Sequence, residues 1–185
     1  MTNANVLIAL SLLTALLLVT ERFGAPLTLQ LSFKGDLKRE SRWFAQYGQG
    51  ACAMVIALLL WRLDSRPVFI PLLLAVFLTA LLAVMVKRTL GRVRPGREDA
   101  GSFMGPTIRH VSARESFPSS HTASAVAMTV VLAHFYPAAT AIFWGLAVIC
   151  AVLRYLMDAH WPSDITAGVA LGYGVAAATL YLSPA

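Results

Sequence analysis

Two histidines, one aspartate and three separated cations stand apart in a chain with few ionisable groups. They lie in three short stretches, Lys87 to Pro95 (KRTLGRVRP), Pro118 to His121 (PSSH) and Arg154 to Asp164 (RYLMDAHWPSD), each at the end of an apolar segment. In the third stretch Asp164 follows His160 by four positions, and Pro162 predicts a helix start that puts Asp164 in the first turn. The helix dipole favours the ionised carboxylate there. A carboxylate that accepts from one imidazole nitrogen leaves the other free and more basic, which orients and activates a histidine nucleophile. Taken alone, the pair reads equally well as a helix cap beside an interfacial histidine.

The other two stretches supply what such a nucleophile would act on. Pro118 predicts a second helix start, with Ser119 and Ser120 in its first turn. Unpaired N–H groups and the dipole make that end an anion site, the hydroxyls add donors, and His121 can carry a proton. Lys87 and Arg94 share a face if the helix before them runs two turns past the membrane edge, although Gly91 is placed to interrupt it and Pro95 ends it. Each feature has an ordinary explanation in isolation, since basic residues commonly flank membrane spans. All three together describe a pocket that holds a phosphate and attacks it.

The elements that must position these groups are membrane helices. The chain has 185 residues, 58% hydrophobic and only 13% charged, against about 45–50% and about 25% in soluble domains. Mean hydropathy is +0.69. These values give an integral membrane protein with a single domain over residues 1–185. The net charge of +6 does not indicate nucleic acid, because the cations sit in loops between apolar spans without a basic helix or stacking platform. Anionic lipid and the bilayer are the expected partners, with no obligate protein partner evident. Cys52 and Cys150 lie within apolar segments and read as small core residues. Residues 1–20 carry no charge, so they lack the basic region of a cleavable leader and are read as a retained span.

Uncharged runs at 1–20, 43–61, 67–86, 116–153 and 165–185 mark the spans, the fourth being long enough to divide at Tyr136-Pro137. The expected fold class is all-α: a six-transmembrane-helix bundle with its active site at one membrane face. Small residues crowd the last span (Ala167, Gly168, Ala170, Gly172, Gly174, Ala176, Ala177, Ala178) and permit close helix approach. Residues 21–42 are expected to be interfacial, with Leu27, Leu29, Leu31 and Phe33 alternating with polar residues before a short amphipathic helix that brings Trp43 and Phe44 to the lipid boundary. Residues 88–117 form the active-site loop. With six spans, the loops after helices one, three and five share a face, which puts all three chemical stretches on one side. That face carries thirteen lysines and arginines against two on the other, so the positive-inside rule points it to the cytoplasm.

The three stretches together resemble the type 2 phosphatidic acid phosphatase superfamily, which includes membrane lipid phosphate phosphatases and the soluble vanadium haloperoxidases. That family's motifs are a lysine six residues ahead of an Arg-Pro pair, a Pro-Ser-Gly-His tetrad, and a Ser-Arg pair followed at fixed spacing by a histidine and an aspartate. Here they read Lys87 with Arg94-Pro95, Pro118-Ser119-Ser120-His121, and Arg154, His160 and Asp164. The resemblance implies that Lys87, Arg94 and Arg154 hold the phosphate oxygens and that Ser119 and the Ser120 N–H complete the cradle. It implies that His160 attacks phosphorus, His121 protonates the leaving oxygen and Asp164 orients His160. It implies no metal or other cofactor and, for bacterial members, an inner-membrane location with the site on the periplasmic face, against the charge count. Ser120 replaces the usual glycine and Leu153 the usual serine. Serine still offers its N–H, so activity is expected to survive.

The substrate expected on this reading is a phosphomonoester or pyrophosphate lipid: phosphatidylglycerol phosphate, phosphatidic acid, undecaprenyl pyrophosphate or phosphorylated lipid A. Arg97, Arg109, His110 and Arg114 are candidate head-group contacts. A phosphotransferase with the same nucleophile and a non-catalytic lipid-binding or transport protein are the alternatives. A haloperoxidase is disfavoured because those relatives are soluble.

Overall fold

A computed structural model describes residues 3–24, 35–63, 66–157 and 160–183. It is all-helical: α1 (Asn3–Arg22), α2 (Gly35–Ala45), α3 (Gly50–Arg62), α4 (Arg66–Leu90), α5 (Ser120–Phe135), α6 (Thr140–Leu156) and α7 (Pro162–Leu182). Among the described residues the only strand-like pairing is an isolated bridge between Arg92 and Phe103. The break at Tyr136-Pro137 is present, as a 3-10 turn over Pro137–Ala139 between α5 and α6. The alternating segment at Leu27, Leu29, Leu31 and Phe33 lies outside the described residues. The helix expected after it is α2, and it leaves Trp43 and Phe44 exposed as a lipid-boundary pair would be.

Four helical segments are long and apolar enough to cross a membrane: Asn3–Arg22, Pro67–Leu90, Pro137–Leu156 and Pro162–Leu182. A fifth is added if the pair Arg39–Gly48 and Gly50–Arg62, bent by 63°, counts as one broken span. The count among the described residues is therefore four or five where six were expected, and α5, with 16 residues, is shorter than each of the four. α5 is the central post of the bundle, packed against α4, α6 and α7, with residues from Thr122 to Thr129 all buried.

That packing depends on small residues. Gly168, Gly172 and Ala176 recur every four positions and are buried on the face of α7 that meets α5. A Cβ at Gly172 would lie 2.1 Å from the carbonyl oxygen of Ala123, and one at Gly168 would lie 2.7 Å from that of Ser119. Without a hydrophobic drive between helices in lipid, such backbone contact supplies the dispersion attraction that holds them. On its other side α7 meets α1, through Thr14 and Thr166 (3.0 Å) and a Tyr173 hydroxyl that donates to Asn3 (2.8 Å). Gly48, in the 3-10 turn before α3, abuts the backbone of His121 so closely that a Cβ would sit 2.1 Å from its carbonyl oxygen.

Replacing Gly172 by alanine should lower stability by about 1–3 kcal/mol, the usual cost of overpacking. Gly145→Ala, where a Cβ meets nothing within 4 Å, should leave it unchanged or raised. Thermal unfolding of both variants in detergent checks this; equal midpoints would show that the α5–α7 contact is not tight.

Candidate active site

α4 does not carry on to Arg94. It stops at Leu90, and Gly91 takes a positive φ of 61° with its N–H on the Lys87 carbonyl, the usual glycine stop. A Cβ at Gly91 would also strike the Gly105 carbonyl oxygen at 2.4 Å. The chain then turns back in a loop closed by Val93 N–H to Ser102 O and Gly101 N–H to Val93 O. Arg92 and Arg94, two positions apart, then take different partners, Arg92 turning to Ser163, Asp164 and Glu21. Arg94 Nε donates to Ser112 O (2.8 Å) and its Nη2 to Glu115 O (3.2 Å). Lys87 Nζ donates to the same Glu115 carbonyl (2.7 Å) and is buried. The two cations expected to share a helix face instead meet at one main-chain oxygen.

One residue further, Ser116 reaches the third stretch. His160 Nδ1 lies 2.8 Å from the Ser116 carbonyl oxygen. A carbonyl only accepts, so Nδ1 carries the proton and Nε2 keeps its lone pair. Arg154 Nη2 is 3.5 Å from that Nε2, and its buried Nε has no hydrogen-bond partner among the described residues. Asp164 Oδ2 lies 3.6 Å from His160 Nδ1, an ion-pair distance rather than a hydrogen bond. The closest holder of the imidazole is thus Ser116, where Asp164 was expected. Asp164 acts one step behind, accepting the Ser116 hydroxyl proton at Oδ2. Burial presses the His160 pKa from 6.5 down to about 3, against the pull of Asp164 and with Lys87 and Arg154 adding to the depression. The imidazole is neutral at working pH.

Asp164 also caps its own helix. Pro162 is at the first position of α7, and Oδ2 accepts from the Trp161 N–H (2.9 Å). The cap reading of that carboxylate is met by this bond. α5 begins at Ser120 with Ser119 at its N-cap, two residues later than Pro118 suggested. Ser119 is fully buried, its N–H bonded to the Asp164 carbonyl (2.9 Å) and its hydroxyl paired with Thr122 (3.0 Å). Ser119 thus locks the two helix starts together, while the N–H groups of Ser120 and His121 occupy the open first turn, where helices leave donors unpaired. His121 Nε2 lies 3.5 Å from Gln49 Nε2, and Arg154, Lys87 and Arg94 are each near enough to act on His121 electrostatically.

The candidate head-group residues lie elsewhere. Arg97, Arg109, His110 and Arg114 are exposed at the rim, and His110 pairs with Glu115 (2.7 Å). Several groups close to the site were not anticipated. Ser116 holds His160, Gln49 flanks His121, and a buried set of Arg92, Glu21 and Ser163 surrounds Asp164. Glu21 was readable only as a charge ending an apolar run. Its partner stands 71 residues away, a distance over which no periodicity operates. Among the described residues no three His, Cys, Asp or Glu side chains cluster to hold a metal.

The chain is similar in sequence to known phosphatases. A lipid A 1-phosphatase of Rhizobium johnstonii is 36% identical over 102 residues, which cover 55% of this chain and 42% of that protein. The lipid A 1-phosphatase of Rhizobium etli is 36% identical over 98 residues, 52% of this chain and 42% of that protein. A decaprenylphosphoryl-5-phosphoribose phosphatase of Mycolicibacterium smegmatis is 29% identical over 127 residues, 68% and 66% of the two chains. The matched segment thus spans less than half the length of the Rhizobium proteins. No solved structure matches. The PAP2 superfamily model matches residues 68–185, which is more than half of the chain and holds Lys87, Arg94, Ser119, His121, Arg154, His160 and Asp164, and so this multi-pass membrane chain belongs to the PAP2 superfamily.

Proposed function

We propose that this protein is an integral-membrane lipid phosphatase that cleaves a phosphomonoester or pyrophosphate lipid through a phosphohistidine on His160. The observation that carries this reading is the state of the third stretch: a neutral imidazole with its Nδ1 proton engaged by the Ser116 carbonyl, its unprotonated Nε2 met by a long 3.5 Å contact from Arg154, and a buried Arg154 Nε lacking an acceptor among the described residues. A buried, unpaired guanidinium N–H is costly unless a ligand satisfies it. A phosphate oxygen does so and brings phosphorus to Nε2.

In this scheme the negative charge of the bound phosphate offsets the three cations and His121 takes up a proton from solvent; Nε2 attacks phosphorus, the bond from phosphorus to the lipid oxygen breaks, and His121 gives that oxygen the proton. Water then attacks the phosphohistidine, His121 takes the water's proton, and the P–N bond breaks to release phosphate and neutral His160. Lys87, Arg94 and Arg154 stabilise the charge on the equatorial oxygens, the role that metal ions fill in many phosphoryl-transfer sites. The helix start at Ser120 adds N–H donors. The relatives' names, lipid A 1-phosphatase and decaprenylphosphoryl-5-phosphoribose phosphatase, support a lipid-linked phosphate as substrate, with lipid A first among the four classes to try. The cluster opens at the inner membrane's periplasmic face in this reading. Four of the thirteen cations that argue for the cytoplasm (Lys87, Arg92, Arg94, Arg154) lie in or beside the site; the remaining nine against two still favour the cytoplasm, and the periplasmic assignment follows the family resemblance.

Phosphate release from phosphorylated lipid A, phosphatidylglycerol phosphate, phosphatidic acid and undecaprenyl pyrophosphate, measured in detergent with EDTA, tests the activity. His160→Ala should lose at least about a thousandfold in kcat, as removal of a covalent nucleophile does, and His121→Ala about a hundredfold or more. Activity retained in His160→Ala would rule out the nucleophile. A maleimide that cannot cross membranes should label Ala100→Cys from the periplasmic side of intact spheroplasts; labelling only after lysis would reverse the orientation.

The buried imidazole also sets a pH dependence of folding. Unfolded His160 binds a proton near pH 6.5 and the folded residue only near 3, so the unfolded state holds more protons in between. His160 then costs stability progressively as pH falls through that window, by up to about 1.4 kcal/mol per pH unit. Unfolding of wild type and His160→Gln between pH 7 and 4 should show the wild type losing more; parallel curves would contradict a buried neutral imidazole.

A further inference from the structure

Behind Asp164 lies an ion cluster that the phosphoryl-transfer scheme does not use. Arg92 Nη1 donates to Asp164 Oδ1 and to Ser163 Oγ, both at 2.6 Å, and Nη2 donates to Glu21 Oε2 at 2.8 Å. Glu21 Oε1 accepts the Ser163 N–H (3.0 Å), and Oε2 accepts the Ser163 hydroxyl (2.5 Å). Glu21 and Arg92 are each 2% exposed and Asp164 is fully buried. The rings of Phe103 and Trp161 lie 5.3 Å from the guanidinium carbon, and the Trp161 N–H donates to Val93 O. Glu21 comes from α1, outside the residues matched by the family.

Two features make this more than a structural clamp. First, the partners divide the Asp164 carboxylate. Oδ1 belongs to Arg92, while Oδ2 takes the Ser116 hydroxyl and the Trp161 N–H. With both oxygens assigned, the carboxylate has no freedom to turn, and Ser116, which holds the His160 proton, is fixed with it. Second, the charges do not cancel. Arg92 alone would neutralise Asp164; Glu21 restores one net negative charge to the buried triad. That charge lies behind an imidazole that becomes cationic once its Nε2 bonds to phosphorus, with Lys87, Arg94 and Arg154 on the phosphate side. Ionisable groups held within a membrane helix bundle commonly serve function in this way.

We propose that Glu21 and Arg92 are positioning residues, acting through Asp164 and Ser116 on His160, and that α1 is thereby part of the active-site machinery. This rests on His160 being the nucleophile. The arrangement resembles outer-shell partners of catalytic ligands, whose loss costs about 10–100-fold.

The test uses the full chain in detergent with a short-chain phosphate-ester lipid. Glu21→Gln and Arg92→Lys should each lower kcat about 10–100-fold while KM moves less than about threefold, because neither side chain touches substrate. In an Asp164→Asn background Arg92→Lys should have little further effect, since the two act as one unit. A cavity of about 620 Å³ lined by Glu21, Arg92, Phe103 and Trp161 adjoins the cluster, so guanidinium, and not urea, should restore part of kcat to Arg92→Ala. Additive losses in the double variant, wild-type kcat in Arg92→Lys, or losses that follow thermal unfolding would overturn the proposal. A second readout needs no activity. In isotope-labelled protein, at a temperature where both variants remain folded, the His160 ring-nitrogen NMR signals should shift in Glu21→Gln and Arg92→Lys. If wild type releases no phosphate from any lipid, the phosphatase reading fails, yet shifted His160 signals would still establish the positioning network; unshifted signals would refute it.

Discussion

The structure turns on one constraint: Asp164 is a carboxylate with no access to solvent at the end of an apolar helix. An ion in that position is tolerated only when its lone pairs are met and its charge is offset. The fold meets the demand from three directions. Arg92 comes back from the loop after α4, Ser116 comes from the approach to α5, and Trp161 offers the N–H of α7's own first turn. Satisfying one anion thus ties the active-site loop to both helix starts. The three stretches that carry the chemistry converge because the same bonds that hold Asp164 hold them.

The next requirement is that the backbone come close enough for those bonds. Ser119 donates to the Asp164 carbonyl only because Gly168 and Gly172 let α7 lie against α5 at backbone contact. Larger residues would push the helix starts apart and break the link between Ser119 and Asp164. Gly48 performs a similar service for His121, and Gly91 ends α4 so that Arg92 and Arg94 can diverge. Small residues that look like filler in a hydrophobic sequence are, in this bundle, what sets the distances in the site.

How much of this was legible in the sequence follows from which interactions are local. The helical class, the break after α5, the Pro162 start and the cap by Asp164 depend on neighbours within a few positions, and composition with turn chemistry reveals them. The seven candidate site residues within the matched segment were readable because their spacing is itself a pattern. The central place of α5 was not, since only packing shows that this apolar helix is surrounded by protein. Ser116 was hidden because its backbone carbonyl, not its side chain, holds His160. Glu21 and Arg92 were hidden for a different reason: their pairing joins the first helix to the third loop, and nothing in either segment names the other.

The same contacts separate two kinds of cation. Arg92 is bonded to two carboxylates and shielded by two rings; exchanging those partners for a ligand would strand two buried anions, so it is committed to the protein. Lys87 and Arg94 rest on the main-chain carbonyls of Glu115 and Ser112, and Arg154 on a neutral imidazole. Neutral acceptors satisfy donors without consuming their charge, and a phosphate oxygen replaces a carbonyl with a stronger, charge-assisted bond. Buried Lys87 on a carbonyl and half-buried Arg154 on a ring nitrogen are thereby held without their charge being cancelled. The spare negative charge the bundle needs is kept behind Asp164, on Glu21.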